Sequence, residues 1–209
     1  MTTTVVSSRL FEPGTTGWTA HDLEDPAIER EWFSGRHEII NGVLTKMAPS
    51  YFAGTRSLEE LVFILKTHLK ALRTADDFSP ECDVVIDEDR VVRADMAWMS
   101  VDDLRRQREV MREAGKTDIQ RVRILVPPRL IIESISPGHE RHDERTKRQW
   151  YAEFGVPNYW ILNPLARSLR CLILEQGQYR IDAEGKNRDE LHPALFPGLT
   201  IPLSQLWLE

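Results

Sequence analysis

A central mixed β-sheet flanked by helices, of α/β or α+β class, is the fold this sequence predicts, and three observations predict it. Leu58, Leu61, Val62, Leu65, Leu69 and Leu72 recur at three- and four-residue steps, the period of a helix with one buried stripe. Two-residue alternation over Val91–Met99 and an apolar run over Leu130–Ile135 read as strands. Helical and strand periods interleave along the chain rather than segregating, so the helices must cover a sheet.

The elements follow in order. Residues 1–17 are rich in Thr, Ser, Gly and Pro and are expected to be a flexible segment, with 18–209 forming one domain. Thr19 is placed to cap a short helix through Leu23. Asn41-Gly42 separates Arg36–Ile40 from Val43–Met47, and because both turn residues accept positive φ this is a hairpin. The helix over 56–73 comes next. Strands at Glu81–Ile86 and Val91–Met99 are joined by the polar turn Asp87-Glu88-Asp89-Arg90, and a charged helix covers 101–114 with Gly115 at its end. Pro127-Pro128 leads into the Leu130–Ile135 strand, which Pro137-Gly138 ends. A helix over 140–154 is stopped by Gly155 and Pro157. Strands at Tyr159–Leu162, Ser168–Glu175 and Tyr179–Ile181 precede a last apolar segment, Leu199–Leu208.

Composition narrows the function classes. The 209 residues are 41% hydrophobic and 29% charged, with no apolar run long enough to cross a bilayer and no basic start or apolar core of a signal peptide, so the cytoplasm is the expected location. Two cysteines far apart, Cys82 and Cys171, argue against a disulfide framework or a Cys-based zinc site. A net charge of −6 argues against a surface that coats nucleic acid throughout. Within that acidic chain, residues 105–129 form a basic island of Arg105, Arg106, Arg108, Arg112, Lys116, Arg121, Arg123 and Arg129. It reads either as a solvated helix with internal ion pairs or as a local phosphate-binding surface.

Three charged residues lie where apolar ones are expected. Alternation sets Asp95 on the strand face opposite Val92, Ala94, Met96 and Trp98, and sets Glu133 with Ile131 and Ile135. If the two strands are neighbours in register, the carboxylates converge, as a Mg²⁺ with one or two carboxylates, water and phosphate requires. The alternative is that Asp95 pairs with Arg93 and that Glu133 ends a strand at the surface. Lys147 shares a helix face with Trp150, Tyr151 and Phe154, so it points toward the sheet, where an ammonium needs a carboxylate or phosphate partner unless it snorkels to water.

The chain also resembles a known family. Glu38-Ile39-Ile40-Asn41-Gly42, Met47-Ala48-Pro49, Arg93-Ala94-Asp95, Ile132-Glu133-Ser134-Ile135-Ser136-Pro137, Lys147 with Tyr151, Gly155-Val156-Pro157-Asn158-Tyr159-Trp160 and Phe196-Pro197-Gly198-Leu199 occur in the order seen in the Uma-two family of the restriction-endonuclease-like PD-(D/E)XK superfamily. The resemblance runs from about Trp18 to the C-terminus. It implies a mixed sheet with flanking helices and a divalent-metal site, with Asp95 and Glu133 as metal-binding acids and Lys147 as a catalytic lysine moved to the following helix. It also implies that Glu38 supports the metal or a catalytic water. Ile135 stands where the superfamily's usual lysine would be, Ala94 replaces the proline before the aspartate, and no histidine lies between Pro49 and Thr55.

A serine hydrolase is disfavoured because no Gly-x-Ser-x-Gly elbow surrounds Ser134 or Ser136. A glycosidase would use two acids, but Lys147 has no role there and no aromatic sugar platform is visible. His139 and His142 are spaced as a metal pair but read better as surface residues. The expectation is a Mg²⁺- or Mn²⁺-dependent endonuclease acting on DNA, with catalytic residues Asp95, Glu133, Lys147 and Glu38 and with Arg93 and Arg129 on the phosphate backbone. A symmetric homodimer would explain cleavage of both strands. The rival is a catalytically inactive module of the same fold that binds nucleic acid or a protein partner.

Overall fold

The computed structural model describes residues 10–47, 51–74, 77–115, 123–135 and 142–207, the side chains of 142–144 excepted. Ala48, Pro49, Lys116, Arg121, Ser136, Pro137, Gly138, His139, Leu208 and the first two positions of the expected 140–154 helix lie outside the described residues, as do residues 1–9 and the side chain of His142. Residues 10–17 run beside the first hairpin, where Gly14 N–H donates to Leu44 O at 2.7 Å and Leu44 N–H to Thr15 O at 3.0 Å.

Eight strands form one mixed sheet: β1 (His37–Ile40), β2 (Val43–Lys46), β3 (Asp77–Val85), β4 (Val91–Met99), β5 (Leu130–Ser134), β6 (Asn158–Asn163), β7 (Ser168–Glu175) and β8 (Gln178–Lys186). The order is β2-β1-β4-β5-β6-β7-β8, with β3 also on β4. Among the described residues β5 and β6 are the one parallel pair of named strands and the other pairs are antiparallel. Two short strands, β9 (Glu190–Leu191) and β10 (Ile201–Pro202), pair separately. The sheet thus has the mixed, helix-flanked architecture that the periodicities predict. The hairpin turn is as expected, with Asn41 at φ 49° and Gly42 at φ 74°.

Among the described residues four α-helices flank the sheet: α1 (Pro26–Ser34), α2 (Phe52–Ala71), α3 (Val101–Glu113) and α4 (Arg148–Phe154). One face carries α2, whose Leu58, Leu61, Val62, Leu65 and Leu69 pack with Met96, Trp98, Leu130, Ile132, Trp160 and Leu162. Phe196 closes this layer against Trp98 and Trp160, with ring centroids 5.0 and 5.7 Å away. The opposite face packs Ala97, Ile131, Ile135, Tyr159 and Ile161 against Trp150 and Tyr151 of α4. Burying each large apolar side chain contributes about 1.5–3 kcal/mol.

Several boundaries differ from the sequence reading, each for a local reason. Helix α2 begins at Phe52, a turn before 56, because its first turn is buried at Gly54, which carries no hydrophobic signal. The segment expected as one helix over 140–154 is a π-helix at His142–Lys147 running into α4, where Gly155 caps the end at φ 88°. Strand β3 starts before the expected Glu81, because the ladder passes through Pro80↔Met96 despite Glu81 standing at φ 44°. Around Thr19 the structure has a 3-10 helix at Asp22–Glu24, with Thr19 N–H and hydroxyl both donating to Asp22 Oδ2. Helix α1 was not anticipated, although Asp25-Pro26 spells its start: Asp25 Oδ1 accepts Ala27 N–H at 2.8 Å and Pro26 opens the first turn.

Candidate active site

One edge of β4 builds the site. Strand β3 pairs along the whole of β4, from Asp77↔Met99 to Val85↔Val91. A strand has two edges, so β1 and β5 must share the other. They take opposite ends of it: β1 pairs only at Ile39↔Val91, and β5 pairs from Met96↔Ile132 to Trp98↔Leu130. Between them, at Arg93–Asp95, the backbone has no ladder partner on that edge among the described residues. Buried backbone polar groups must still be satisfied, and here side chains of the predicted residues do it.

Glu38, from β1, accepts Arg93 N–H at its Oε1 at 3.0 Å, and Lys147 Nζ donates to Arg93 O at 3.0 Å. The same ammonium reaches Glu38 Oε1 at 3.1 Å and Glu133 Oε1 at 3.2 Å. An ammonium has three N–H donors, and these three acceptors match them. Tyr151, one helical turn after Lys147, donates its hydroxyl to the same Glu133 Oε1 at 2.7 Å. All of these groups are buried: Glu38, Glu133 and Lys147 are each 2% exposed and Tyr151 is 0% exposed. Burial first, and then the charge of Glu133, pushes the Tyr151 hydroxyl well above its ordinary range, so it remains a donor. Lys147 therefore does not snorkel, and Glu133 does not end its strand at the surface.

Asp95 belongs to a second, more open group. Its Oδ2 accepts Ser134 N–H at 2.8 Å, where the β4–β5 ladder has stopped. Its Oδ1 lies 3.4 Å from Arg36 Nη2, and Arg36 Nη1 lies 3.2 Å from Glu81 Oε1. The Asp95 and Arg36 side chains are each 19% exposed. Asp95 thus pairs with Arg36 rather than with Arg93. Nothing in the sequence marks Arg36 or Glu81 as part of this group, since Arg36 precedes β1 and Glu81 stands at an irregular, left-handed position of β3. The first turn of α2 borders this group. A Cβ built on Gly54 would lie 3.0 Å from Ser134 Oγ and 2.9 Å from the Tyr51 ring.

The two arginines expected on a phosphate backbone lie elsewhere. Arg93 is buried, with Nε on Asp83 Oδ1 at 2.8 Å and its guanidinium over the Trp32 ring, and Trp32 Nε1 donates to the same carboxylate at 2.6 Å. Arg129 precedes Leu130 at the far end of β5 from Glu133, with Nε 3.7 Å from Asp103 Oδ2. The basic island, among the described residues, is largely internally paired: Arg105 bonds Asp102, Arg106 bonds Asp103, and Arg123 lies 3.7 Å from Asp83 and over Phe33. Asp103 also completes the cap of α3 with Ser100. Cys82 and Cys171 are both free thiols, and burial first, then the Asp83 and Glu133 charges, pushes Cys82 up to about 12.

As donors for a cation, Asp95 and Glu133 supply hard carboxylate oxygens on paired strands, which fits Mg²⁺ or Mn²⁺ held by few protein ligands with water and phosphate as the rest. Among the described residues no group of three or more His, Cys, Asp and Glu side chains is gathered for a metal, and no helix is long and apolar enough to cross a membrane.

The sequence matches the Uma2 family, described as "Putative restriction endonuclease", over residues 29–204. One similar solved structure is that of "a putative nuclease belonging to DUF820" from Anabaena variabilis ATCC 29413. It superposes with a TM-score of 0.63 at 15% identity, over 83% of this chain and 90% of that one. At that identity the likeness speaks for the shared fold. No curated protein matches the chain.

Proposed function

Because the chain belongs to the Uma2 family of nuclease-fold proteins, we propose that it is a Mg²⁺- or Mn²⁺-dependent endonuclease that hydrolyses DNA phosphodiester bonds by attack of water on phosphorus. The observation that supports this most is the convergence of Glu38, Lys147 and Glu133 on the unladdered edge of β4, immediately beside Asp95. Three buried charges are costly to assemble, and replacing such groups by apolar residues is often neutral or stabilising, so stability alone is a weak reason to keep them.

Asp95 and Glu133 would hold the cation, which when bound supplies Lewis-acid stabilisation of the charge developing on the phosphoryl oxygens. Lys147 keeps Glu38 and Glu133 fixed. To orient the attacking water it must exchange one of its three contacts, and Glu38, which shares it with Glu133, is the group able to take up the difference. Tyr151 holds Glu133 through that exchange. The in-line geometry of attack is then set by strands rather than loops, which favours precise positioning. Residues 18–209 act as the nuclease unit in this reading.

The test is Mn²⁺ titration calorimetry on the wild type and on the double variant Asp95→Asn/Glu133→Gln, followed by cleavage of supercoiled plasmid with and without chelator. Binding heat and chelator-sensitive cleavage, both lost in the variant, are expected. Duplex binding with neither metal heat nor cleavage would replace this reading by the inactive binding module.

A further inference from the structure

We propose that Arg36 is the residue that contacts a substrate phosphate, and that Asp95 and Glu81 hold its guanidinium until a divalent cation takes up the Asp95 carboxylate. The inference rests on the function proposed above and names a binding residue that the family match does not.

Position comes first. Arg36 is the arginine on the Asp95 carboxylate itself, whereas Arg93 is buried under Trp32 and Arg129 lies at the other end of β5. Its main chain is fixed, because Arg36 O accepts Met47 N–H at 2.8 Å at the open end of the β1–β2 hairpin. Only the side chain needs to move.

The way it is held makes it exchangeable. Strong guanidinium–carboxylate pairs are bidentate or run at about 2.7–2.9 Å. Arg93 on Asp83 is of that kind at 2.8 Å. Arg36 instead divides itself, giving one nitrogen to Asp95 at 3.4 Å and the other to Glu81 at 3.2 Å. The Glu81 side chain is 53% exposed, so its share of the pairing is a solvent-screened one, of the class that contributes little. Glu81 also stands across the ladder from Asp95, between the pairs Pro80↔Met96 and Cys82↔Ala94, with a left-handed φ of 44°. An l-residue other than Gly, Asn or Asp seldom adopts that conformation inside a strand, and here it sets a second carboxylate beside the first.

The charges then exchange in a balanced way. With no cation, the guanidinium neutralises Asp95. When a divalent cation binds Asp95, that carboxylate no longer needs Arg36, and cation and guanidinium repel each other. Glu81 retains Nη1, and the freed Nη2 is a charged donor for a phosphate oxygen. Arg36 therefore binds phosphate only when the metal is present, which couples the two ligands.

Two titrations test this. Mn²⁺ calorimetry compares wild type, Arg36→Gln and Asp95→Asn without nucleic acid. Fluorescence anisotropy then measures binding of a short labelled duplex carrying phosphorothioate linkages to wild type, Arg36→Gln and Arg36→Lys, with and without Mn²⁺. Arg36→Gln is expected to bind Mn²⁺ severalfold more tightly, because the competitor is gone. It should bind the duplex as the wild type does without Mn²⁺ and roughly 10-fold or more weakly with it, the loss of one charge-assisted contact. Arg36→Lys should fall between, keeping charge without the fork; it also serves if the glutamine variant does not fold. A duplex penalty of equal size with and without Mn²⁺, no penalty at all, or weaker Mn²⁺ binding in Arg36→Gln would overturn the proposal while leaving the nuclease reading intact. Absence of Mn²⁺ heat in the wild type would remove both.

Discussion

Two ionic groups meet on the same edge of β4 and differ in almost every physical respect. The inner one, Glu38–Lys147–Glu133 with Tyr151, is buried, and its ammonium has an acceptor at 3.0–3.2 Å for each of three donors. The outer one, Arg36 with Asp95 and Glu81, is partly exposed, and its contacts run at 3.2–3.4 Å. They alternate along the strands, Arg36 and Glu38 flanking His37, and Arg93 and Asp95 flanking Ala94. The lesson is a division of labour: the inner group fixes geometry through buried contacts, of which the proposed mechanism exchanges a single Lys147 contact, and the outer group is the part whose arginine can leave its carboxylate. Each prediction below would break or sharpen that division.

The largest effect is expected at Lys147. Lys147→Met leaves two buried carboxylates without their counter-ion, and removing one partner of a buried ion pair costs about 3–5 kcal/mol. Urea unfolding should show that loss, against roughly 0–1 kcal/mol for Arg36→Met, whose partners can turn to water. Equal losses would erase the distinction between inner and outer groups.

Tyr151→Phe comes next. It removes one hydrogen bond to a buried carboxylate, worth roughly 1–3 kcal/mol, without opening a cavity. The raised hydroxyl gives the loss a pH signature. A folded pKa above the unfolded value of about 10 means that the neutral form's contribution is whole below that pH and is lost as pH rises through the folded value. Stability should therefore fall less steeply above pH 10 in Tyr151→Phe than in the wild type. Cys82, raised from 9.0 to about 12, acts earlier in the same direction, and Cys82→Ala should remove the part of the decline that begins near pH 9. A Tyr151→Phe curve parallel to the wild type in denaturant titrations across this range would place the Tyr151 hydroxyl in contact with water.

Much of the inner group was legible in the sequence, and the outer group was not. Two-residue alternation turned Glu133 away from the α2 side, and three- and four-residue spacing turned Lys147 inward with Tyr151; both are local regularities. Along β4 the alternation expected for Val92, Ala94, Met96 and Trp98 does not hold: Val92 and Ala94 pack with Ala97 on the α4 side and Met96 and Trp98 with α2, because the faces reverse at Asp95, opposite the left-handed Glu81. The role of Glu38 came from resemblance alone, because its contact with Arg93 N–H depends on β1 and β5 sharing one edge of β4, a non-local fact that no spacing encodes. Arg36 and Glu81 were invisible for the same reason. For the basic island the sequence offered internal ion pairs or a phosphate-binding surface, and among the described residues the first applies to Arg105, Arg106, Arg123 and Arg129, which lie on Asp102, Asp103 and Asp83. Helix α1 was legible in Asp25-Pro26 and was missed because its apolar stripe, Ile28 and Trp32, is short.

Asp95→Asn should change stability by no more than about 1 kcal/mol, since its arginine partner is solvent-accessible and the amide oxygen can still accept Ser134 N–H. Mn²⁺ binding heat should nonetheless be lost. A destabilisation as large as that of Lys147→Met would assign Asp95 to the inner group and leave the outer one without a function.

The smallest change in stability, and the sharpest test, belongs to Gly54→Ala. Alanine inside a helix is favoured over glycine by about 1 kcal/mol, which argues for stabilisation. Against it, the new Cβ would meet the Tyr51 ring at 2.9 Å and Ser134 Oγ at 3.0 Å. The Tyr51 ring can swing, but Ser134 is the residue whose N–H holds Asp95. The two terms nearly cancel in the unfolding free energy, so the melting temperature should hardly move. The displaced Ser134 backbone, however, passes its shift to the Asp95 carboxylate and leaves Glu133, held by Lys147 and Tyr151, where it was. Mn²⁺ affinity should fall several-fold at unchanged stability, and a variant that binds Mn²⁺ as the wild type does would show that the outer carboxylate is placed by Arg36 and Glu81 rather than by β5.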